Sequence, residues 1–206
     1  MDREMLQEAA RLGAATIYEA SGQKGALPSA IKPISPAMRA AGPAFTVATP
    51  PGNNLWIHRA LAAAAWGDVL VVVVATSGHY EAGYWGDIMT VAALERGIAG
   101  LVIDGGVRDS QAIARLQFPV FARGLSIRGT GKDATAPGSL QQPITLGDVT
   151  VEPGDLIVGD ADGVVVISRA KVTEVLEKAR ERERHEAEVM ERLRKGETTL
   201  DIYGWK

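Results

Sequence analysis

The feature that most restricts this chain is a βαβα pattern in its middle third, without any sequence repeat: a β-branched apolar run, a turn containing glycine, then a helix, and the same order again. Residues 69–75 (VLVVVVA) are apolar at every position, the mark of a strand covered on both faces. A loop with the string SGHYEAGYWG follows, then a helix expected over 87–96 and stopped by Gly97. Residues 98–103 read as a second buried strand ending in Asp104-Gly105-Gly106, and Val107-Arg108-Asp109-Ser110 opens a helix to Leu116. A short strand is expected over 119–122. Strands and helices alternating in this way build an α/β sheet.

The flanks read differently. The N-terminal stretch is expected to form one helix, with Met5, Leu6, Ala9 and Leu12 on one face. Residues 22–51 carry Pro28, Pro33, Pro36, Pro43, Pro50 and Pro51, which leaves room for short strands such as 44–48 but not for long helices. Asn53 or Asn54 caps a helix expected to run through Trp66. From Ile144 the pattern turns antiparallel: a strand to Val151, a turn at 152–155, a strand to Val158, a turn at 160–163 and a strand over 164–167. The turn Asp160-Ala161-Asp162-Gly163 lacks the frame and closing glutamate of a calcium loop, so a hairpin turn is expected.

A long, densely charged helix is expected over 168–195, closed by Gly196. Its apolar stripe is Val172, Val175, Leu176 and Ala179, then Val189, Met190 and Leu193, with nothing apolar over 180–186. One reading is a solvated face with pairs such as Glu174–Lys178 and Glu188–Arg192. The other is a segment that leaves its own core to meet another subunit. The hydrophobic tail LDIYGW is expected to pack somewhere, whether on this chain or on a neighbour. The whole reads as one domain, 1–206, with a mixed sheet.

Composition removes several function classes. The chain has 206 residues and no cysteine, which excludes disulfides, thiol nucleophiles, zinc–thiolate sites and iron–sulfur clusters. The formal net charge of -3 argues against a generic nucleic-acid binder. Apolar runs such as 69–75 are far too short to span a membrane, and the opening MDREMLQEAA lacks the apolar core of a secretory leader. The expectation is a soluble, cytoplasmic protein.

The two strand-to-helix turns carry the candidate chemistry. Gly86-Asp87-Ile88-Met89 and Gly105-Gly106-Val107-Arg108-Asp109 follow consecutive strands, so both should emerge at the same sheet edge, where α/β ligand sites form. Glycine lets backbone approach a ligand, and a helix start offers free N–H groups to an anion. Arg108 can grip a carboxylate or stabilise a developing enolate. Asp87 and Asp109 are hard oxygen donors suited to Mg²⁺ or Mn²⁺ held with several waters. Each residue also has a structural reading: Asp87 and Asp109 as helix caps, Arg108 as their ion-pair partner.

At these residues the chain resembles a known family. The strings GHYEAGYWGDIMTVAA, GLVIDGGVRDS, FPVFARGLSIRGT, VEPGDLIVGDADGVVVI and TTLDIYGW are similar to those of the 4-hydroxy-4-methyl-2-oxoglutarate / 4-carboxy-4-hydroxy-2-oxoadipate aldolases of the RraA-like family. The likeness covers nearly the whole chain and is strongest over 67–170. It implies an α/β/β/α arrangement like the swivelling phosphohistidine domain, assembled as a homotrimer or a dimer of trimers. It implies a divalent-metal-dependent (class II) pyruvate aldolase, a carbon–carbon lyase that cleaves 4-hydroxy-2-oxo acids and also decarboxylates oxaloacetate. Carried over residue by residue, Asp109 would bind the metal and Asp87 would reach it through water. Arg108 would contact the pyruvate and its enolate, and the amides of Ile88 and Met89, beside Gly86, would hold the pyruvate carboxylate. A glutamate of the neighbouring subunit's C-terminal helix would complete the water shell; Glu186 matches best and Glu183 second. Oxygen ligands serve Mg²⁺, Mn²⁺ and Co²⁺ alike, with Mg²⁺ the expected ion.

Other chemistries fit less well. A Schiff-base aldolase needs a shielded lysine. None of Lys24, Lys32, Lys132, Lys171, Lys178, Lys195 and Lys206 lies in either turn. His79 and Tyr80 precede the first turn and could touch substrate, although a hydrogen-bonded loop histidine is the commoner case. Arg123 and Arg128, around GLSIRGT, read equally as structural or as partners of a distal substrate carboxylate. The single Gly105-Gly106 pair is weak support for a methyltransferase. The serious rival is a non-catalytic regulator, since some members of the resembled family bind and inhibit an RNase E-type endoribonuclease.

Overall fold

The computed structural model describes residues 1–75 and 80–205. In chain order its elements are α1 (Arg3–Leu12), α2 (Ala14–Ala20), β1 (Lys32–Pro33), β2 (Ala40–Thr49), α3 (Leu55–Ala63), β3 (Val69–Val74), α4 (Asp87–Glu95), β4 (Gly100–Val107), α5 (Ser110–Arg115) and β5 (Val120–Leu125). Then come β6 (Ser139–Leu140), β7 (Ile144–Leu146), β8 (Val149–Val151), β9 (Leu156–Asp160), β10 (Gly163–Ile167), a 3₁₀ turn Arg169–Lys171, α6 (Val172–Arg194) and α7 (Thr199–Tyr203).

The main sheet runs β1-β5-β4-β3-β2-β9-β10. The pairs β2–β3, β3–β4 and β4–β5 are parallel, as the βαβα pattern requires, and the outer pairs are antiparallel. The two ends of this order approach one another, with the Lys32 ammonium donating to the Asp162 carbonyl, so the sheet is nearly closed. β2 serves three partners: residues 40–43 pair with β9 and residues 44–49 with β3, while Val47 and Ala48 also pair with β6. Pro43, which cannot donate to a ladder, sits at that switch.

Three apolar cores separate four layers. One lies between the parallel strands and α3, α4 and α5, and includes Val72, Ile103, Ile113 and Trp85. A second fills the space between the two strand layers, with Val71, Val102, Phe121, Leu146 and Ile157. A third joins β9 and β10 to α1, α2 and α6 through Ile17, Leu156, Val165 and Leu176. Alternate positions of one strand feed different cores: Val72 faces the first, Val71 the second. This is the α/β/β/α arrangement the resemblance implied.

Several boundaries differ from the sequence reading. The first helix breaks at Gly13 (φ +82), because the buried Asp160 carboxylate accepts from Ala14 N–H and caps a second helix there. β2 is twice the length expected, since its proline lies at the change of partner. Residues 144–151 are a hairpin turned at Gly147 (φ +64), not one strand. The Asp160–Gly163 turn is a hairpin turn as expected, with Asp160 Oδ1 accepting from Asp162 N–H.

The charged stretch of α6 is neither a bare solvated face nor free of its own core. Arg180 forks onto Glu8 at 2.6 and 2.7 Å, and Arg11 onto Glu183 at 2.6 and 2.9 Å. These pairs zip α6 to α1. Lys178 pairs with Glu174 as expected, but Arg192 takes Glu197 rather than Glu188. The tail does not pack on the core: Tyr203 stacks on Trp205 with ring centres 4.6 Å apart, and Leu200 and Trp205 stay exposed. Among the described residues no helix is long and apolar enough to cross a membrane.

Candidate active site

The Gly86–Met89 turn and the Arg108-Asp109 turn meet at the C-terminal edge of β3 and β4, as their topology dictates, but Gly105, Gly106 and Val107 belong to β4 itself and not to the turn expected there. Their contact is intimate. Gly86 has no Cβ because one would lie 2.4 Å from Asp109 Oδ2. The expectation was that glycine would admit a ligand to the backbone; at Gly86 it admits the protein's own carboxylate.

Asp109 is the N-terminal flanking residue of α5, but its side chain makes no capping hydrogen bond. Its backbone is left-handed (φ 58), which turns the carboxylate away from its own helix and toward the neighbouring turn. There Oδ2 accepts from Asp87 N–H at 3.3 Å and lies 3.4 Å from Arg108 Nε. The capping explanation therefore fails for its own helix α5, although the same carboxylate accepts from the first N–H of α4. Arg108 is held by its own N–H, which donates to the Trp85 carbonyl at 2.9 Å, and its guanidinium is half exposed.

Asp87 opens α4 with an exposed side chain. Its Oδ1 accepts from Ile88 N–H at 2.7 Å, so one of the two amides expected to hold a carboxylate is engaged by the protein itself. Met89 N–H lies in the first helical turn, where no helical carbonyl precedes it. Trp85 anchors this turn from below. It is buried, stacks on Phe118 and donates from Nε1 to Thr90 Oγ1, which donates in turn to the Gly86 carbonyl.

A cavity of about 310 Å³ opens beside these residues. Gly86, Asp87, Ile88, Met89 and Arg108 line it. Two segments outside the site read from the sequence also line it: Asn54, which flanks the start of α3, with His58 one turn on, and Thr130 with Lys132. Asn54 is buried. Its Nδ2 donates to the Tyr84 carbonyl at 3.0 Å, while Oδ1 has no hydrogen-bond partner among the described residues. A buried acceptor left unmade costs roughly 1–3 kcal/mol, which singles this oxygen out beside the cavity. Burial, and then the Lys132 charge, hold the His58 pKa below its ordinary value. The i,i+4 spacing of Asn54 and His58 was the available signal, but Asn54 had been read only as a cap. Lys132 is exposed and lacks the shielding a Schiff-base amine requires. A larger hollow of about 620 Å³, beside α2 and the start of α6, holds none of the βα-turn residues.

The donor set fits a hard divalent cation carrying much of its own water. Asp87 and Asp109 supply two carboxylates, and among the described residues no group of three His, Cys, Asp or Glu forms a protein-only cage. Glu186 is not brought to these turns within the chain: it lies on α6, paired with Arg182 at 2.9 Å, while Glu183 is bound to Arg11. His79 lies outside the described residues. Arg123 and Arg128 do not line the cavity; Arg123 is bound to Asp104 and Arg128 to Glu81.

Known proteins share both the sequence and this architecture. Residues 14–166 match the family model described as RraA-like (Aldolase/RraA). A Halalkalibacterium halodurans protein, provisionally named a 4-hydroxy-4-methyl-2-oxoglutarate aldolase, is 41% identical over 157 residues, which span 76% of this chain and 73% of that one. An uncharacterised Pseudomonas syringae protein of known crystal structure superposes with a TM-score of 0.81 at 33% identity, covering 96% of both chains. Streptomyces coelicolor RraAS2, described as an unusual member of the RNase ES inhibitor RraA family, gives 0.78 at 28% identity, covering 92% of this chain and 97% of its own. With three-quarters of its length matched by the family model and its four layers reproduced in solved relatives, the chain belongs to the RraA-like family.

Proposed function

We propose that this protein is a carbon–carbon lyase that releases pyruvate from 4-hydroxy-2-oxo acids, with oxaloacetate decarboxylation as a second activity of the same site. The observation that carries the reading is the placement of Asp109: a carboxylate turned out of its own helix and set between the Gly86–Asp87 turn and the Arg108 guanidinium. The name of the Halalkalibacterium relative supports an aldolase over the family's other roles.

Asp109 would hold a divalent cation, Mg²⁺ in the first instance, with Asp87 acting through water and Glu186 of a neighbouring copy, or Glu183, completing the shell. When bound, the ion supplies an electron sink for the 2-oxo group. The chain's own residues do the rest. The Met89 amide and the start of α4 attract the substrate carboxylate. Arg108 presents its planar fork to the C2 oxygen, where negative charge grows as the C3–C4 bond breaks; such preorganised stabilisation is the largest contribution expected of the protein. Cleavage of a hydroxy acid needs loss of the C4 hydroxyl proton, and both reactions end with proton delivery to C3. Lys132 and the Asn54 acceptor, beside the cavity, suit the far carboxylate and the C4 hydroxyl of a dicarboxylic substrate.

The direct test is pyruvate release, coupled to lactate dehydrogenase, from 4-hydroxy-4-methyl-2-oxoglutarate and from oxaloacetate, with and without Mg²⁺. We expect Mg²⁺-dependent release above the rate of the metal ion alone. Arg108→Lys should lower kcat by about 10²–10³-fold, because a point charge does not replace the planar fork. No release by the wild-type protein would sink the reading and favour the second one, a regulator of an RNase E-type enzyme, which the likeness to RraAS2 supports.

A further inference from the structure

The amides of the first turn stand at the end of a strap, residues 80–86, laid across the mouth of the sheet. Its bed is Gly106, where a Cβ would lie 2.6 Å from the Tyr80 carbonyl and 2.7 Å from that of Ala82. Gly83 forms a parallel bridge with the same residue. The far end of the strap sets Gly86 against Asp109. The near end is gripped by Arg123 of β5, whose guanidinium stacks over the Tyr80 ring at 4.2 Å and whose Nε donates to the Asp104 carboxylate. Asp104 and Arg123 fall where the β4–β5 register shifts, between Ile103 and Gly106, so this irregularity is where the two side chains meet.

A second arginine also reaches the strap. The Arg128 side chain pairs with Glu81 at 2.9 Å, and its carbonyl accepts from Gly83 N–H at 2.7 Å. The Arg128 and Glu81 side chains are 72% and 77% exposed, so solvent and salt screen that pair. The Arg123 and Asp104 side chains are only 20% and 11% exposed, where ion pairing and cation–π contact both strengthen.

Building on the lyase reading above, we propose that Arg123, fixed by Asp104 and bearing on Tyr80, is a positioning residue of the pyruvate site. It sets the strap, and through the strap it sets Gly86 and the Met89 amide against Arg108 and Asp109. Arg123 touches no substrate in this arrangement and acts only through Tyr80.

Tyr80→Ala removes the ring without stranding a buried charge, Arg123→Lys keeps the charge but loses the planar face, and Tyr80→Phe keeps the ring. Amide exchange should speed up about tenfold or more over 82–89 in Tyr80→Ala and Arg123→Lys, with exchange over 69–74 unchanged. In the same variants kcat for pyruvate release from oxaloacetate should fall about 10–100-fold, and Tyr80→Phe should match wild type in both measurements. Wild-type exchange over 82–89 in Tyr80→Ala, or equal acceleration over 69–74, would overturn the proposal. A wild-type protein that releases no pyruvate would remove the lyase reading alone, since the exchange pattern still decides whether Arg123 sets the strap.

Discussion

Gly86 shows how little room the site leaves. Its backbone is ordinary and extended, so any residue could adopt it; what a side chain would displace is the carboxylate 2.4 Å from where a Cβ would stand. Gly86→Ala must therefore push Asp109 aside or shift the turn. We expect about 10²-fold loss of pyruvate release with only a modest drop in melting temperature, read by the coupled assay and calorimetry. Retained activity would mean that the position of Asp109 is not critical. Arg108, Asp109, Asp87 and Gly86 were legible in the sequence because they sit in two adjacent turns. Asn54, His58 and Lys132 were not, because they come from two further segments that meet the turns only in three dimensions.

At the scale of elements, the zipper between α1 and α6 has a pH signature. Arg180 holds the Glu8 carboxyl below its ordinary 4.5, and Arg11 does the same for Glu183. A carboxyl whose pKa falls on folding adds stability that is complete above the ordinary value and is lost as pH drops through the folded one. Acidification below 4.5 should loosen α1 from α6 before it disturbs the parallel strands, seen as earlier amide exchange over residues 3–12. Because the pairs are exposed, half-molar salt at neutral pH should weaken them in the same direction, with a melting shift of only roughly 2–4 °C. An unaltered exchange order would show that the apolar contacts of Ile17 and Leu176 alone hold this layer. The strands read at 69–75 and 98–103 were visible because β-branched runs advertise themselves, but the second runs on through Gly105-Gly106 to Val107, where the glycines pointed to a turn. The zipper could not, because its partners lie 172 residues apart and periodicity carries no record of such pairs.

For the whole molecule, open apolar surface includes one group near the site and another along the C-terminal end, at Met190, Leu200 and Trp205. Ile88 is 78%, Leu125 62% and Ile127 93% exposed, with Val91 and Leu116 close by. Grouped exposure of this kind marks a protein interface, and a second copy of the chain is the occupant the homotrimer expectation supplies. Ultracentrifugation should find a trimer or hexamer, and Ile127→Asp should dissociate it; if a neighbour's glutamate completes the site as proposed, pyruvate release should fall at least about tenfold with it. A monomeric wild type with full activity would refute this.

Since β2 gives its first four residues to β9 and the remainder to β3, it is common property of both strand layers. A chimaera that grafts residues 144–206 from a relative therefore inherits a mismatched seam unless residues 40–43 travel with the graft, even though a hundred residues separate the two pieces.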